Sequence, residues 1–162
     1  MDRVVAQISQ SLSWDYLIAL ESSLNARGVM NTKIQAELDN HALNLARRYL
    51  LKKGRLGAGP FSAAEEEILD ALAEAVKTLR RSGRLPHNII KSLCAGGLIA
   101  AVQRSVAHSG LLRCRTDFES DTIMRGIFEA IVNRHPTAFS AETVKLAGRH
   151  LGLARASPAA VG

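Results

Sequence analysis

Apolar residues recur every three to four positions along almost the whole chain. No stretch of any length alternates apolar with polar as a half-buried strand does. The pattern predicts an all-α fold: a single-domain bundle of about six helices, with residues 1–154 as the bundle and 155–162 as a small-residue, frayed C-terminal tail.

The helix ends are written in local chemistry. A short helix covers Arg3 to Gln10. Ser13 is placed to cap Trp14 to Arg27, with Gly28 as the stop. Asn31 or Thr32 caps a helix running to about Lys53 and ending at Gly54, whose residues Ile34, Leu38, Ala42, Leu45 and Tyr49 share a face. The loop Gly54 to Phe61 holds three glycines and a proline. Ser62 with Glu65 then reads as a capping box for Ala63 to Ser82, which buries Ile68, Leu72, Ala75, Val76 and Leu79 before Gly83.

Pro86 suits the first turn of the next helix, His87 to about His108. Between Asn88 and Gln103 its only charge is Lys91, which predicts a central helix packed on all sides. Gly96 and Gly97 each cost a helix about 1 kcal/mol. They imply either a close helix crossing or a kink. After the loop SGLLRCR, a helix from about Thr116 to Arg134 buries Ile123, Ile127, Phe128 and Ile131. Pro136 follows, and Ser140 caps a last helix to about Leu151.

Composition changes the picture little. Of 162 residues, 47% are hydrophobic and 22% charged, as in ordinary globular domains. The longest apolar run, Leu93 to Val102, is half of what spans a bilayer, so no membrane partner is expected. The N-terminus shows no signal-like apolar core, and Cys94 and Cys114 form no metal or redox spacing. A cytoplasmic setting with free thiols is the expectation. Cys94, amid apolar residues, is expected in the core; Cys114, between two arginines, as a surface thiol.

Charge changes it more. The net charge is +6, with 15 arginines and 6 lysines among the basic residues. Residues 1–46 carry net −2 and residues 47–162 net +8. Part of this is helix-end electrostatics, worth about 0.3–1 kcal/mol per charge at low salt. Glu65, Glu66 and Glu67 open a helix that Lys77, Arg80 and Arg81 close, and Asp117, Glu119 and Asp121 open another. Capping does not require the surplus, and arginine suits phosphate. The candidate nucleic-acid-binding residues are Arg47, Arg48, Lys52, Lys53 and Arg55, then Arg80, Arg81 and Arg84, then Arg104, Arg113 and Arg115. Antiparallel packing divides them between two poles, with Lys77, Arg80, Arg81 and Arg84 at the far one.

The expected function is therefore non-catalytic contact with the phosphate backbone of RNA or DNA, within a complex that includes other protein subunits. At 4%, aromatics are too few to build a stacking platform for single strands. Two alternatives stand beside it. One is a protein–protein adaptor, with Trp14, Tyr16, Leu17 and Leu20 on a docking helix. The other is a helix-turn-helix regulator offering Thr143, Lys145 and Arg149, although its connection from Arg134 to Phe139 is long.

No catalytic motif, cofactor or metal site is expected. Glu37 and His41 share a helix face, but a hydrogen-bonded, partly buried His41 accounts for them. The row Glu66, Asp70, Glu74 reads as a solvated face, and the glycines of GRLGAGP lack the strand and lysine of a phosphate loop.

Overall fold

The computed structural model describes residues 2–108 and 119–156. Among the described residues there are eight α-helices and no strand. They are α1 (Asp2–Gln10), α2 (Trp14–Ala26), α3 (Thr32–Lys53), α4 (Ala63–Arg81), α5 (His87–Cys94), α6 (Gly97–His108), α7 (Glu119–Arg134) and α8 (Ala141–Ala156). A 3-10 turn, Pro136–Ala138, precedes α8.

The predicted caps form. Ser13 accepts a hydrogen bond from the Tyr16 N–H at 3.3 Å, Asn31 Oδ1 from Ile34 N–H at 2.9 Å, and Ser140 Oγ from Thr143 N–H at 3.2 Å. Ser62 and Glu65 make both arms of the capping box, at 3.2 and 2.8 Å. Each arm satisfies an N–H that the helix itself leaves without a partner.

The expected central helix, 87–108, is two helices. Its halves bend by 115° across Ala95 and Gly96. Gly97 sits at φ +86°, a left-handed conformation that glycine adopts without the penalty of a Cβ. The corner is tight at Gly96 as well: a Cβ there would lie 3.0 Å from Ala100 Cβ, on the first turn of α6. Breaking the helix strands the Ser92 carbonyl, because the Gly96 N–H turns to Leu93 O instead. Arg104 Nη2 donates to Ser92 O, and at 3.3 Å to Ser92 Oγ, closing the corner.

The centre passes to α4, which packs against α3, α6 and α7. It buries Ile68, Leu69, Leu72 and Val76 together with three alanines, the small residues letting neighbours approach. Truncating a fully buried side chain such as Leu69 to Ala costs about 2–5 kcal/mol. Helices α1 and α2 lie on α3, while α6, α7 and α8 pack mutually at the other side. Among the described residues no single helix is long and apolar enough to cross a membrane.

Two burial expectations and one helix boundary change. Ile127 is 38% exposed, on the outer side of α7, while Phe128 and Ile131 are buried as expected. Cys94 is exposed, because α5 ends there; its Sγ faces Lys53 O at 3.3 Å. Helix α8 runs to Ala156, five residues past the expected Leu151 and into the tail. Thr116, Asp117, Phe118, Cys114 and residues 157–162 lie outside the described residues, as do the side chains of Ile123, Glu119 and Asp121.

Candidate nucleic-acid interface

The candidate cations separate into those engaged by the fold and those that are not. Arg47 belongs to the first group. Its Nη2 lies 2.6 Å from Glu66 Oε2 and its Nη1 3.0 Å from Asp70 Oδ1, so its planar fork spans two carboxylates one helical turn apart on α4. The row Glu66, Asp70, Glu74 is thus not merely solvated: the first two bind α3 to α4, and Glu74 takes Lys77 at 2.7 Å.

Arg80 and Arg81 are likewise committed. The Arg80 guanidinium carbon stands 5.9 Å from the centroid of the Trp14 ring, within cation–π range. Arg81 Nη1 meets Asp39 at 2.7 Å, and its Nε faces Glu21 at 3.6 Å, tying the end of α4 to α3 and α2. Arg104 holds the α5–α6 corner. Arg84 lines a cleft at the start of α5. Arg113 and Arg115 lie outside the described residues.

Glu67 shows the same logic from the acid side. It receives Arg134 at 2.6 Å and His135 at 2.9 Å, pinning the start of α4 to the end of α7. Hydrogen bonds from Arg134 and then His135 hold its pKa below the usual carboxylate value. All three glutamates that open α4 are therefore occupied: Glu65 by its own cap, Glu66 by α3, Glu67 by α7.

What remains is the end of α3. Arg48, Lys52, Lys53 and Arg55 are exposed, and among the described residues none has a carboxylate within ion-pair distance. Arg48 and Lys52 are four apart and share a helix face. Gly54 does not supply the left-handed turn that ends this helix. It has φ −75°, and a Cβ there would lie 3.0 Å from Leu93 Cδ1, so the absent side chain makes room for α5. The left-handed position falls to Arg55 at φ +56°, and Leu56 N–H closes the turn on Leu51 O at 3.2 Å.

The same junction adds a residue that sequence reasoning missed. Cys94 Sγ against Lys53 O brings the C-terminal ends of α5 and α3 together. Lys91, exposed in the last turn of α5, stands one turn back from that contact. In a continuous 87–108 helix Lys91 is a mid-helix lysine. The break makes it a C-terminal one.

Other candidates resolve simply. His41 Nε2 bonds the buried Ser11's carbonyl, joining the α1–α2 turn to α3. Among the described residues no group of three or more His, Cys, Asp or Glu is placed to hold a metal ion. Trp14 and Leu17 of the docking-helix reading are buried, leaving Tyr16 at 48% and the preceding Leu12 at 81% exposed. In the helix-turn-helix reading Thr143 is 6% exposed and hydrogen-bonded to Ser140, so it does not reach a groove. Lys145 and Arg149 are exposed.

The chain matches no family model, no curated protein and no solved structure.

Proposed function

We propose that the protein is a non-catalytic helical subunit that holds nucleic acid by its phosphate backbone, through Arg48, Lys52, Lys53 and Arg55 at the end of α3, with Lys91 beside them. Arg47, Arg80, Arg81 and Arg104 are left out of the contact set, because the fold already uses them.

The observation that carries this reading is a cluster of exposed, unopposed cations that the fold does not need. The macrodipole favours Lys52 and Lys53 in the last turn, but its effect fades within that turn and does not account for Arg48. Arg48 and Lys52, like charges at i and i+4, repel by about 0.2–0.5 kcal/mol. Arg55 occupies a left-handed position where glycine is the unstrained choice, at a cost of about 1 kcal/mol. An arginine retained under strain, beside three other free cations, fits a surface kept for binding. Backbone contact reads charge and spacing rather than base identity, so affinity is similar for unrelated sequences.

The test is fluorescence anisotropy with labelled RNA, single-stranded DNA and duplex DNA of unrelated sequence. Binding to more than one sequence with similar affinity, removed by Glu at positions 48, 52, 53 and 55, supports the reading. A single preferred duplex points instead to a regulator.

A second reading, a protein–protein adaptor, draws on Leu12, in the α1–α2 turn, and Tyr16, in the first turn of α2, both exposed. It predicts a stable protein complex that Leu12→Ser with Tyr16→Ser disrupts and the α3 reversals do not.

A further inference from the structure

We infer that the outward face of α8 is a second phosphate-binding surface, so that one copy of the chain holds two nucleic-acid segments and bridges them. The inference rests on the nucleic-acid reading for the first segment and adds the second.

Lys145 and Arg149, four apart, share the solvent face of α8. Both are exposed, and among the described residues neither has a carboxylate within ion-pair distance. Neither lies in the last turn of α8, so the macrodipole does not account for them. Gly148 and Gly152 lie on the same face, within about 100° of arc. Glycine is the least favourable residue of a helix interior after proline. Gly54 and Gly97 have uses in this fold, one making room for α5 and the other taking a left-handed turn. A Cβ on Gly148 or Gly152 would meet no neighbouring atom within 4 Å, and neither has a positive φ. The chain's own packing gives these two glycines no purpose. A partner whose backbone lies down between the two cations does, because an absent side chain permits close approach. The one acid of α8, Glu142, stands in the first turn, where the dipole favours it.

Charge selects the partner. A second copy packed face to face gathers four cations, Lys145 and Arg149 twice over, against two carboxylates. A phosphate backbone answers the cations directly. Placement makes the second surface a bridge. Helix α8 packs on α6 and α7, and α4 stands between that group and α3. Packed helices are spaced about 8–10 Å apart. Two such spacings or more therefore separate α8 from the Arg48–Arg55 cluster. Duplex DNA stays nearly straight over about 150 bp, so one duplex does not follow both faces.

A capture assay tests this, with duplex DNA on beads, the full chain, and a fluorescent second duplex of unrelated sequence at low salt. Two cations make a weak contact alone, and many copies along paired duplexes add. The wild type is expected to retain the second duplex at least about tenfold above beads without protein. Lys145→Glu with Arg149→Glu should cut retention at least about fivefold, while anisotropy affinity for one duplex stays within about twofold. Gly148→Leu with Gly152→Leu should cut it too, with no charge changed. Far-UV circular dichroism stays helical in both variants. Reversal of the α3 cluster removes affinity for one duplex as well, so the two readings fail separately. Sedimentation of the free protein should give the monomer, 17.5 kDa. Undiminished retention in the folded α8 variants, no retention by a wild type that binds one duplex, or a free dimer that the α8 reversal dissolves would overturn the bridge. A chain that binds no duplex at all ends both readings.

Discussion

Arg47 and Arg48 are adjacent on α3, about 100° apart around its axis, and they meet different surroundings. Arg47 faces α4 and closes a fork on Glu66 and Asp70. Arg48 faces outward, on the same stripe as Lys52, with no carboxylate near it among the described residues. Two residues of the same type, both near a helix C-terminus, thus serve different ends. One joins helices. The other belongs to an electropositive surface. The contrast teaches that a count of basic residues measures neither cohesion nor binding. Helical phase relative to the neighbouring helix decides which role each residue takes.

The comparison can be broken most severely by reversing the whole outward cluster. Changing Arg48, Lys52, Lys53 and Arg55 to Glu is expected to lower nucleic-acid affinity by at least about 100-fold at low salt, with the helical circular dichroism unchanged. Retained affinity in a folded variant would remove the α3 surface from the account.

Single substitutions sharpen it. Arg47→Ala is expected to lower unfolding free energy by about 1 kcal/mol in urea titrations, because a half-exposed pair of ion contacts between α3 and α4 is lost. Nucleic-acid affinity should stay within about twofold. Arg48→Ala should do the reverse: no measurable change in stability, and a salt slope shallower by about 1. Parallel effects from the two variants would mean that the fold does not separate their roles.

Arg55→Gly puts stability and binding in opposition. Relief of the left-handed backbone, less the extra chain entropy of glycine, is expected to raise stability by roughly 0.5–1 kcal/mol. The same change should weaken nucleic-acid binding several-fold by removing one phosphate contact. Unchanged binding would assign Arg55 no part in the surface.

The smallest effect concerns Glu67, whose pKa is lowered by hydrogen bonds from Arg134 and His135. A depressed carboxylate stabilises the fold above its unfolded value of 4.5, and the contribution is lost as pH falls through the lower folded value. The stability difference between the wild type and Glu67→Gln should therefore shrink on acidification from pH 6 to pH 3. A difference that is constant across this range would deny the pair its electrostatic character.

How much of this was legible in the sequence follows the same divide between local and tertiary causes. The caps at Ser13, Asn31, Ser62 and Ser140 were readable because each is decided within four residues. The apolar face of α4 was readable for the same reason, since period alone places Ile68, Leu72 and Val76 together. The Gly96–Gly97 pair was readable only as a choice between a crossing and a kink. Both rest on the same absence of side chains, and neighbours decide between them. Cys94 and Ile127 were misplaced because an apolar residue in an apolar helix says nothing of where that helix ends or which neighbour covers it.

The site was less legible than the fold. Pairing of Arg47 with Glu66 and Asp70, and of Arg81 with Asp39, joins residues 19 to 42 positions apart. Those pairs depend on the rotation of one helix against another, which no periodicity within either helix encodes. Lys91 escaped notice because its position at a helix end depends on the break after Cys94. The one local clue lay beside Gly54. A glycine that looks like a helix stop is needed by α5 instead, and the strain it would have absorbed passes to Arg55.

The most direct test of the central claim is the salt dependence of binding to duplex DNA, measured by anisotropy from low to physiological salt. Contact by the four free cations at the end of α3 predicts a plot of log affinity against log salt that falls with a slope of about −3.6, at about −0.9 for each neutralised phosphate, and alike for unrelated sequences. No binding even at low salt, or a slope unchanged when the four residues are reversed to Glu, would contradict it and reduce those charges to helix-end electrostatics.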